Sequence, residues 1–99
     1  MRILVPVMER NENPKICEQF GRAPYFAIIK DRKLVEIVEN PGHSLSKGAG
    51  SKAAQFALEK GVKKIIVKKE IGPHAKEVLE GEVEIEVNPN IEYLSDILK

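Results

Sequence analysis

The residues best suited to chemistry are few. Cys17 is the single cysteine, and His43 and His74 are the two histidines. A thiol or an imidazole can serve as nucleophile, proton carrier or ligand. Each also has a plain alternative: a lone cysteine packs as a small hydrophobe, and a histidine in a polar loop or at a helix start can simply be solvated. Met8, Gln19, Arg22 and Glu70 lie near them in sequence. A second feature belongs to the backbone. Gly48-Ala49-Gly50-Ser51 leads into a helical stretch, and Gly72-Pro73 opens another. Glycine lets the main chain approach a ligand closely, and unpaired N–H groups at a helix start attract anions. With Arg22, the two starts favour an anionic guest; the competing reading is that the glycines only permit tight turns. The spacing fits neither a P-loop nor a dinucleotide fingerprint. There is no nucleophile turn with its His and Asp partners, and no close ligand pair such as Cys-x-x-Cys. The expectation is a binding protein, not an enzyme.

These residues need elements to position them. Ile3 to Val7 is a nearly unbroken apolar run and reads as a buried strand, with Pro6 near its end because proline cannot donate to a ladder. Tyr25–Ile29 and Leu34–Glu39 flank the polar turn Asp31-Arg32-Lys33 and read as a hairpin. A helix is predicted from about Ser51 to Lys60, with Ala53, Ala54, Phe56, Ala57 and Leu58 facing inward and Gly61 ending it. Lys64–Val67 is the fourth strand. Pro73 starts a second helix, with Ala75, Val78 and Leu79 inward and Gly81 as its stop. Glu82–Val87 alternates strictly, so its glutamates should form a wet face. A last helix is predicted from Asn90, as N-cap, through Leu98. The order is β-β-β-α-β-α-β-α. Hairpins imply antiparallel pairing at the start, and right-handed crossovers imply parallel pairing afterwards. The predicted fold class is therefore α/β: a mixed five-stranded sheet with strand 2 antiparallel and helices on both faces. Strands one, three, four and five then run the same way. Their carboxyl ends feed loops 8–24, 40–50, 68–73 and 88–90, which gathers Cys17, Arg22, His43, Gly50 and His74 at one sheet edge, the usual ligand edge of such folds.

Whole-chain properties narrow the class further. Ninety-nine residues suit a single domain, 1–99. Apolar residues at 42% and charged residues at 31% describe a globular chain. A net charge of +1 argues against a nucleic-acid partner. No apolar run reaches the ~20 residues of a membrane span, and the first residues show no cleavable leader pattern. One cysteine excludes an internal disulfide framework, so a reducing cytoplasm is the expected location.

Four segments together carry a family resemblance: Glu18-Gln19-Phe20-Gly21-Arg22-Ala23-Pro24-Tyr25-Phe26, Val38-Glu39-Asn40-Pro41, Gly48-Ala49-Gly50 and Ile71-Gly72-Pro73. In this order, over nearly the whole chain, they resemble the dinitrogenase iron–molybdenum cofactor biosynthesis family, which includes nitrogenase accessory factors. The resemblance implies a three-layer α/β/α, ribonuclease-H-like fold with strand order 3-2-1-4-5. It implies a non-enzymatic carrier or chaperone for an anionic metal–sulfur cluster or cofactor precursor, an iron–sulfur or molybdenum–iron–sulfur cluster among them. A cluster donor or acceptor protein would be its partner, and the chain would act as a monomer or weak homodimer. On this reading Cys17, His43 and His74 are the metal ligands. Gln19, Arg22, Gly48, Gly50, Ser51 and Gly72 line the anion site. Two positions depart from the family pattern: Gln19 stands where a histidine is usual, and Lys68-Lys69-Glu70 replaces a glycine-rich run. The alternatives are a module for a phosphate-like anion and a protein-interaction adaptor that has lost the metal site. A nuclease-type hydrolase would need clustered carboxylates for two metals, where this chain's strands carry Ile, Val and Lys.

Overall fold

The computed structural model describes residues 1–98. Five strands form one sheet: β1 (Arg2–Val7), β2 (Tyr25–Lys30), β3 (Lys33–Glu39), β4 (Val62–Val67) and β5 (Glu84–Val87). Their spatial order is β3-β2-β1-β4-β5. β2 is antiparallel to β1 and to β3, while β4 is parallel to β1 and to β5. Order and strand directions agree with the sequence expectation and are compatible with a ribonuclease-H-like layering. Pro6 is accommodated because the register of β1 with β4 runs only from Arg2 to Leu4. The β2–β3 hairpin turns on Asp31 and Arg32, both at positive φ (53° and 63°), as a two-residue turn matched to strand twist requires. Edge strand β3 carries a bulge: Ile28 pairs with Glu36 and Ile29 with Leu34, so Val35 is skipped and exposed. Irregularity of this kind discourages edge-to-edge pairing.

Alternation along the strands divides the core. Leu4, Phe26, Ile28, Ile65 and Val67 face the helices α1 (Ala49–Glu59) and α2 (Pro73–Leu79). From α1 come Ala53, Ala54 and Ala57, all fully buried, and from α2 come Ala75 and Leu79. Val5, Val7, Ala27, Ile29 and Ile66 face the other side. The helix α1 starts two residues earlier than Ser51. Its N-cap is Gly48 at φ 73°, a left-handed conformation that favours glycine. β5 is shorter than the Glu82–Val87 stretch expected, because the N–H groups of Glu82 and Val83 both turn back to the Leu79 carbonyl. Its Glu84 and Glu86 pair with Lys64 at 3.6 Å and 2.9 Å, and the hydrogen bond that Lys64 donates to Glu86 leads in holding the Lys64 pKa above its ordinary range.

The second face corrects one expectation. Both α-helices lie on the first face, and the predicted helix from Asn90 to Leu98 is reduced to one 3-10 turn, Leu94–Asp96. Its backbone groups have other partners. Ile16 donates to the Glu92 carbonyl (2.8 Å) and Leu94 donates to that of Pro14 (3.0 Å). Asn90 caps no helix: the N-cap of the 3-10 turn is Tyr93, and Asn90 N–H donates to Asn88 Oδ1. Asp96 Oδ2 accepts from Glu92 and Tyr93 N–H. Extended pairing with the first loop has displaced helix propensity, which is worth only tenths of a kcal/mol per residue. The third layer therefore consists of Ile16, Ile91 and Leu94 on irregular chain, packed with Ile97 and Leu98.

Candidate functional site

The Phe20-to-Phe26 segment builds the site from its packing upward. Phe20 is 5% exposed and stacks on Phe26 (ring centroids 5.4 Å apart), which stacks in turn on Phe56 of α1 (6.2 Å). This row pins the first loop to the helix face. Gly21 then lies against the start of α1 so closely that a Cβ there would come within 2.8 Å of the Gly50 backbone. Gly50 in turn faces Ala75 of α2, where a Cβ would sit 3.3 Å from the alanine's. Gly21 and Gly50 thus let three backbones converge, and Gly50 serves packing more than ligand approach.

Asn40, absent from the sequence candidates, holds the arrangement together. It is the buried polar side chain of the described core, 4% exposed. Its Nδ2 donates to the carbonyls of Gly21 and Ala23, each at 2.9 Å, with Phe20 at the outer limit of 3.5 Å. Its Oδ1 accepts from Gly42 N–H at 2.8 Å. An asparagine before proline at a strand end is a turn signal; the tertiary bonds to the first loop leave no local signature. Beyond it, Arg22 donates from its two terminal nitrogens to the carbonyls of Leu45 and Ser46. His43 Nδ1 lies 3.0 Å from the Arg22 carbonyl. A carbonyl only accepts, so Nδ1 is the donor of this bond, which leaves Nε2 as the nitrogen that can offer a lone pair.

Two adjoining clefts open at this edge. The first, about 550 Å³, is lined by Gly48, Gly50 and Ser51 of the α1 start, by Gly72, His74 and Ala75 of the α2 start, and by Lys69 and Glu70. Neither helix has a side-chain cap, and neither has an acidic residue in its first turn. First-turn N–H groups lack intrahelical partners, so each helix start brings partial positive charge to a cleft whose charged side chains, Arg22 and Lys69 against Glu18 and Glu70, balance. The second cleft, about 530 Å³, is lined by Cys17, His43, Lys15, Lys68 and Glu92, with Met8 at its wall. Glu18, Gln19 and Arg22 line both. Lys69 pairs with Glu18 at 3.2 Å, and that hydrogen bond holds the Glu18 carboxyl below its usual range.

All the sequence candidates reach this edge, but the expected ligand trio is divided. Cys17 and His43 share the second cleft, and His74 lies in the first, with the exposed Gln19 and Arg22 standing between. Among the described residues no group of three or more His, Cys, Asp or Glu side chains is placed to hold a metal ion. A second correction concerns the thiol. Its neighbourhood of cations suggests a partly ionised Cys17 at neutral pH, but the residue is 9% exposed in the helix-face core. Burial pushes its pKa up and Glu18 adds to the rise, outweighing the hydrogen bond from the Gln19 backbone. The folded state therefore holds this proton more tightly than the unfolded chain. Above the ordinary thiol pKa of about 8.5, stability should fall as pH rises, until the folded-state pKa is reached. Alkylation of Cys17 by iodoacetamide at pH 7.5 should be at least about tenfold slower than that of free cysteine, with its rate still climbing at pH values where that of free cysteine has levelled off. A rate equal to that of free cysteine would show an accessible, ionised thiol instead.

The chain is thus a mixed α/β sheet whose carboxyl-edge loops and two helix starts enclose paired clefts. The sequence matches the family model for the dinitrogenase iron-molybdenum cofactor over residues 1–99, and the chain belongs to that family. The family is one of iron–molybdenum cofactor biosynthesis or binding. No curated protein matches the chain. Solved structures do. The apo form of the orange protein from Desulfovibrio gigas aligns with a TM-score of 0.78 at 24% identity, over 97% of this chain and 82% of that one. A protein from Thermotoga proposed to be a NifB protein, solved by NMR, aligns with a TM-score of 0.75 at 26% identity, over 96% and 81%. Among the described residues no helix is long and apolar enough to cross a membrane.

Proposed function

We propose that this protein is a non-enzymatic carrier whose cargo is an anionic metal–sulfur cluster or cofactor precursor. The observation that carries the reading is the first cleft, in which two uncapped helix starts converge beside Arg22 and Lys69. Such a cleft attracts negative charge without a covalent ligand. The second cleft adds soft chemistry on the far side of Gln19 and Arg22: the Cys17 sulfur and the Nε2 lone pair of His43. Cubane iron–sulfur clusters usually take four cysteine thiolates, and this chain has one cysteine. The cargo must therefore bring its own sulfides and be held by few bonds, which suits a protein that has to release it to a partner. Cys17 is the principal covalent ligand in this reading, with His43 assisting because it shares the cleft. His74 contributes from the first cleft, and Gln19 offers only an amide where a histidine is usual. Since burial raises the Cys17 pKa, metal must displace its proton, and uptake should increase with pH.

Anaerobic reconstitution with ferrous iron, molybdate and sulfide tests this, read by metal and sulfide content and by the visible spectrum. Cys17→Ser and His43→Ala should each reduce uptake several-fold, and His74→Ala should do so less. Equal uptake by all four proteins, or none by any, would show the carrier mechanism to be wrong. The same helix starts favour a second reading, a module for a phosphate-like anion. It requires saturable binding of inorganic phosphate that Cys17→Ser leaves unchanged.

A further inference from the structure

The tip of the second loop, residues 43–48, is exposed throughout. It is suspended between two fixed points. At one end, Gly42 is bonded to Asn40 and packed against the Ala49 backbone. At the other, α1 begins after Gly48, whose positive φ and open surroundings make it a natural pivot. Within the tip, His43 N–H and Leu45 N–H bond locally, to the carbonyls of Asn40 and Gly42. Among the described residues, the tip's long-range hydrogen bonds all go to Arg22: Leu45 and Ser46 carbonyls accept from its guanidinium, and His43 Nδ1 donates to its carbonyl. The same guanidinium lines both clefts.

We infer that Arg22 is a latch through which an anionic guest controls the loop tip. This rests on the proposal that the clefts hold an anion. Each terminal nitrogen of Arg22 donates to one neutral carbonyl. An anion makes stronger, charge-assisted bonds, and a guanidinium binds it best with two adjacent donors. Once the guanidinium turns to the anion, Leu45 and Ser46 lose their partner and the tip swings on Gly48. His43 is bonded to the main-chain carbonyl of Arg22, which the turning side chain leaves in place, so the imidazole is freed only as the tip swings away from that carbonyl. Occupancy of the cleft is thereby reported on the surface, where a partner that takes the cargo can read it.

Hydrogen exchange of the His43 and Leu45 amides, the tip amides bonded to Asn40 and Gly42 carbonyls, tests the latch in wild type, Arg22→Gln and Arg22→Lys, each with and without tetrathiomolybdate. Retention of the anion after gel filtration, read by its absorbance, establishes binding. Without anion, Arg22→Gln should exchange about tenfold faster than wild type, from the loss of charged hydrogen bonds. Arg22→Lys should fall between, because an ammonium cannot span both carbonyls as a planar fork does. Bound tetrathiomolybdate should accelerate the tip in wild type and leave Arg22→Gln unchanged. Equal exchange in wild type and Arg22→Gln would show that the latch holds nothing. Retained anion with an unaltered tip in wild type would mean that the anion uses the free side of the guanidinium, and would overturn the coupling alone. Failure of wild type to retain either tetrathiomolybdate or inorganic phosphate would remove the anion-binding reading, and the coupling with it.

Discussion

Asn40→Leu is expected to destabilise the protein by roughly 3–5 kcal/mol, a large part of a small domain's total. Leucine is close in shape, so the loss is polar. Removing the amide leaves the Gly21 and Ala23 carbonyls and the Gly42 N–H without the bonds made at 2.9, 2.9 and 2.8 Å. Each unsatisfied buried group costs about 1–3 kcal/mol. The upper end of their sum is not reached, because the Gly21 contact is only part-buried and water can enter. Urea unfolding should show the midpoint falling with an unchanged slope. Asn40→Asp separates this account from simple loss of volume. Its carboxylate can still accept from Gly42, but its second oxygen faces two carbonyls that need a donor. The charged form is penalised in the folded state, so the folded pKa of the new side chain is raised. The variant's deficit should therefore shrink as pH falls through that raised pKa, where the protonated acid can donate again. A loss below about 1 kcal/mol for Asn40→Leu, or a deficit for Asn40→Asp that ignores pH, would refute the clamp.

Gly42→Ala should cost about 3 kcal/mol or more by overpacking. An alanine Cβ at this position would lie 2.5 Å from the Ala49 carbonyl oxygen and 3.2 Å from its carbon. Both atoms belong to the first residue of α1, a helix anchored by Ala53, Ala54 and Ala57 in the core. No flexible side chain is available to move aside, so the loop must lift from the helix and the Asn40–Gly42 bond lengthens with it. Gly48→Ala is the control. A Cβ there meets nothing within 4 Å, but the residue sits at φ 73°. Its cost should be the left-handed backbone penalty alone, about 1–2 kcal/mol, and Gly48→Asn should recover part of it. Thermal or urea unfolding of the three variants checks the ranking. If Gly42→Ala proves milder than Gly48→Ala, the close approach of loop and helix is not the reason for glycine at 42.

These two glycines mark where legibility ends. The Gly-x-Gly run at 48–50 and Gly21 suggest close backbone approach as residue types, but sequence does not say to what. Gly48 answers to conformation, Gly21 to neighbouring backbone, Gly50 to the Ala75 methyl, and Gly42 to a carbonyl oxygen 2.5 Å from where its side chain would be. Arg22 is similar. Its charge marks it as an anion contact, while its partners are carbonyls of a loop more than twenty positions away. Lys68 and Lys69 depart from the family pattern in sequence, yet each lines a different cleft.

What the amino-acid order determined by itself was the strand sequence, the hairpin at Asp31-Arg32, the two crossovers, and hence the strand directions and the edge to which Cys17, His43 and His74 must come, the sheet order being implied by the family resemblance. Those features follow from local periodicity, from turn residues and from the handedness of strand connections, all of which act over short stretches of chain. Tertiary structure alone decided the rest. It melted the predicted final helix because Pro14 and Ile16 bond its backbone, buried Cys17 so that its proton is held, and placed Cys17 and His74 in separate clefts. It also made Asn40 the clamp between the loops. Each of these depends on a partner distant in sequence, and burial and hydrogen bonding there outweigh the small local preferences that a sequence displays.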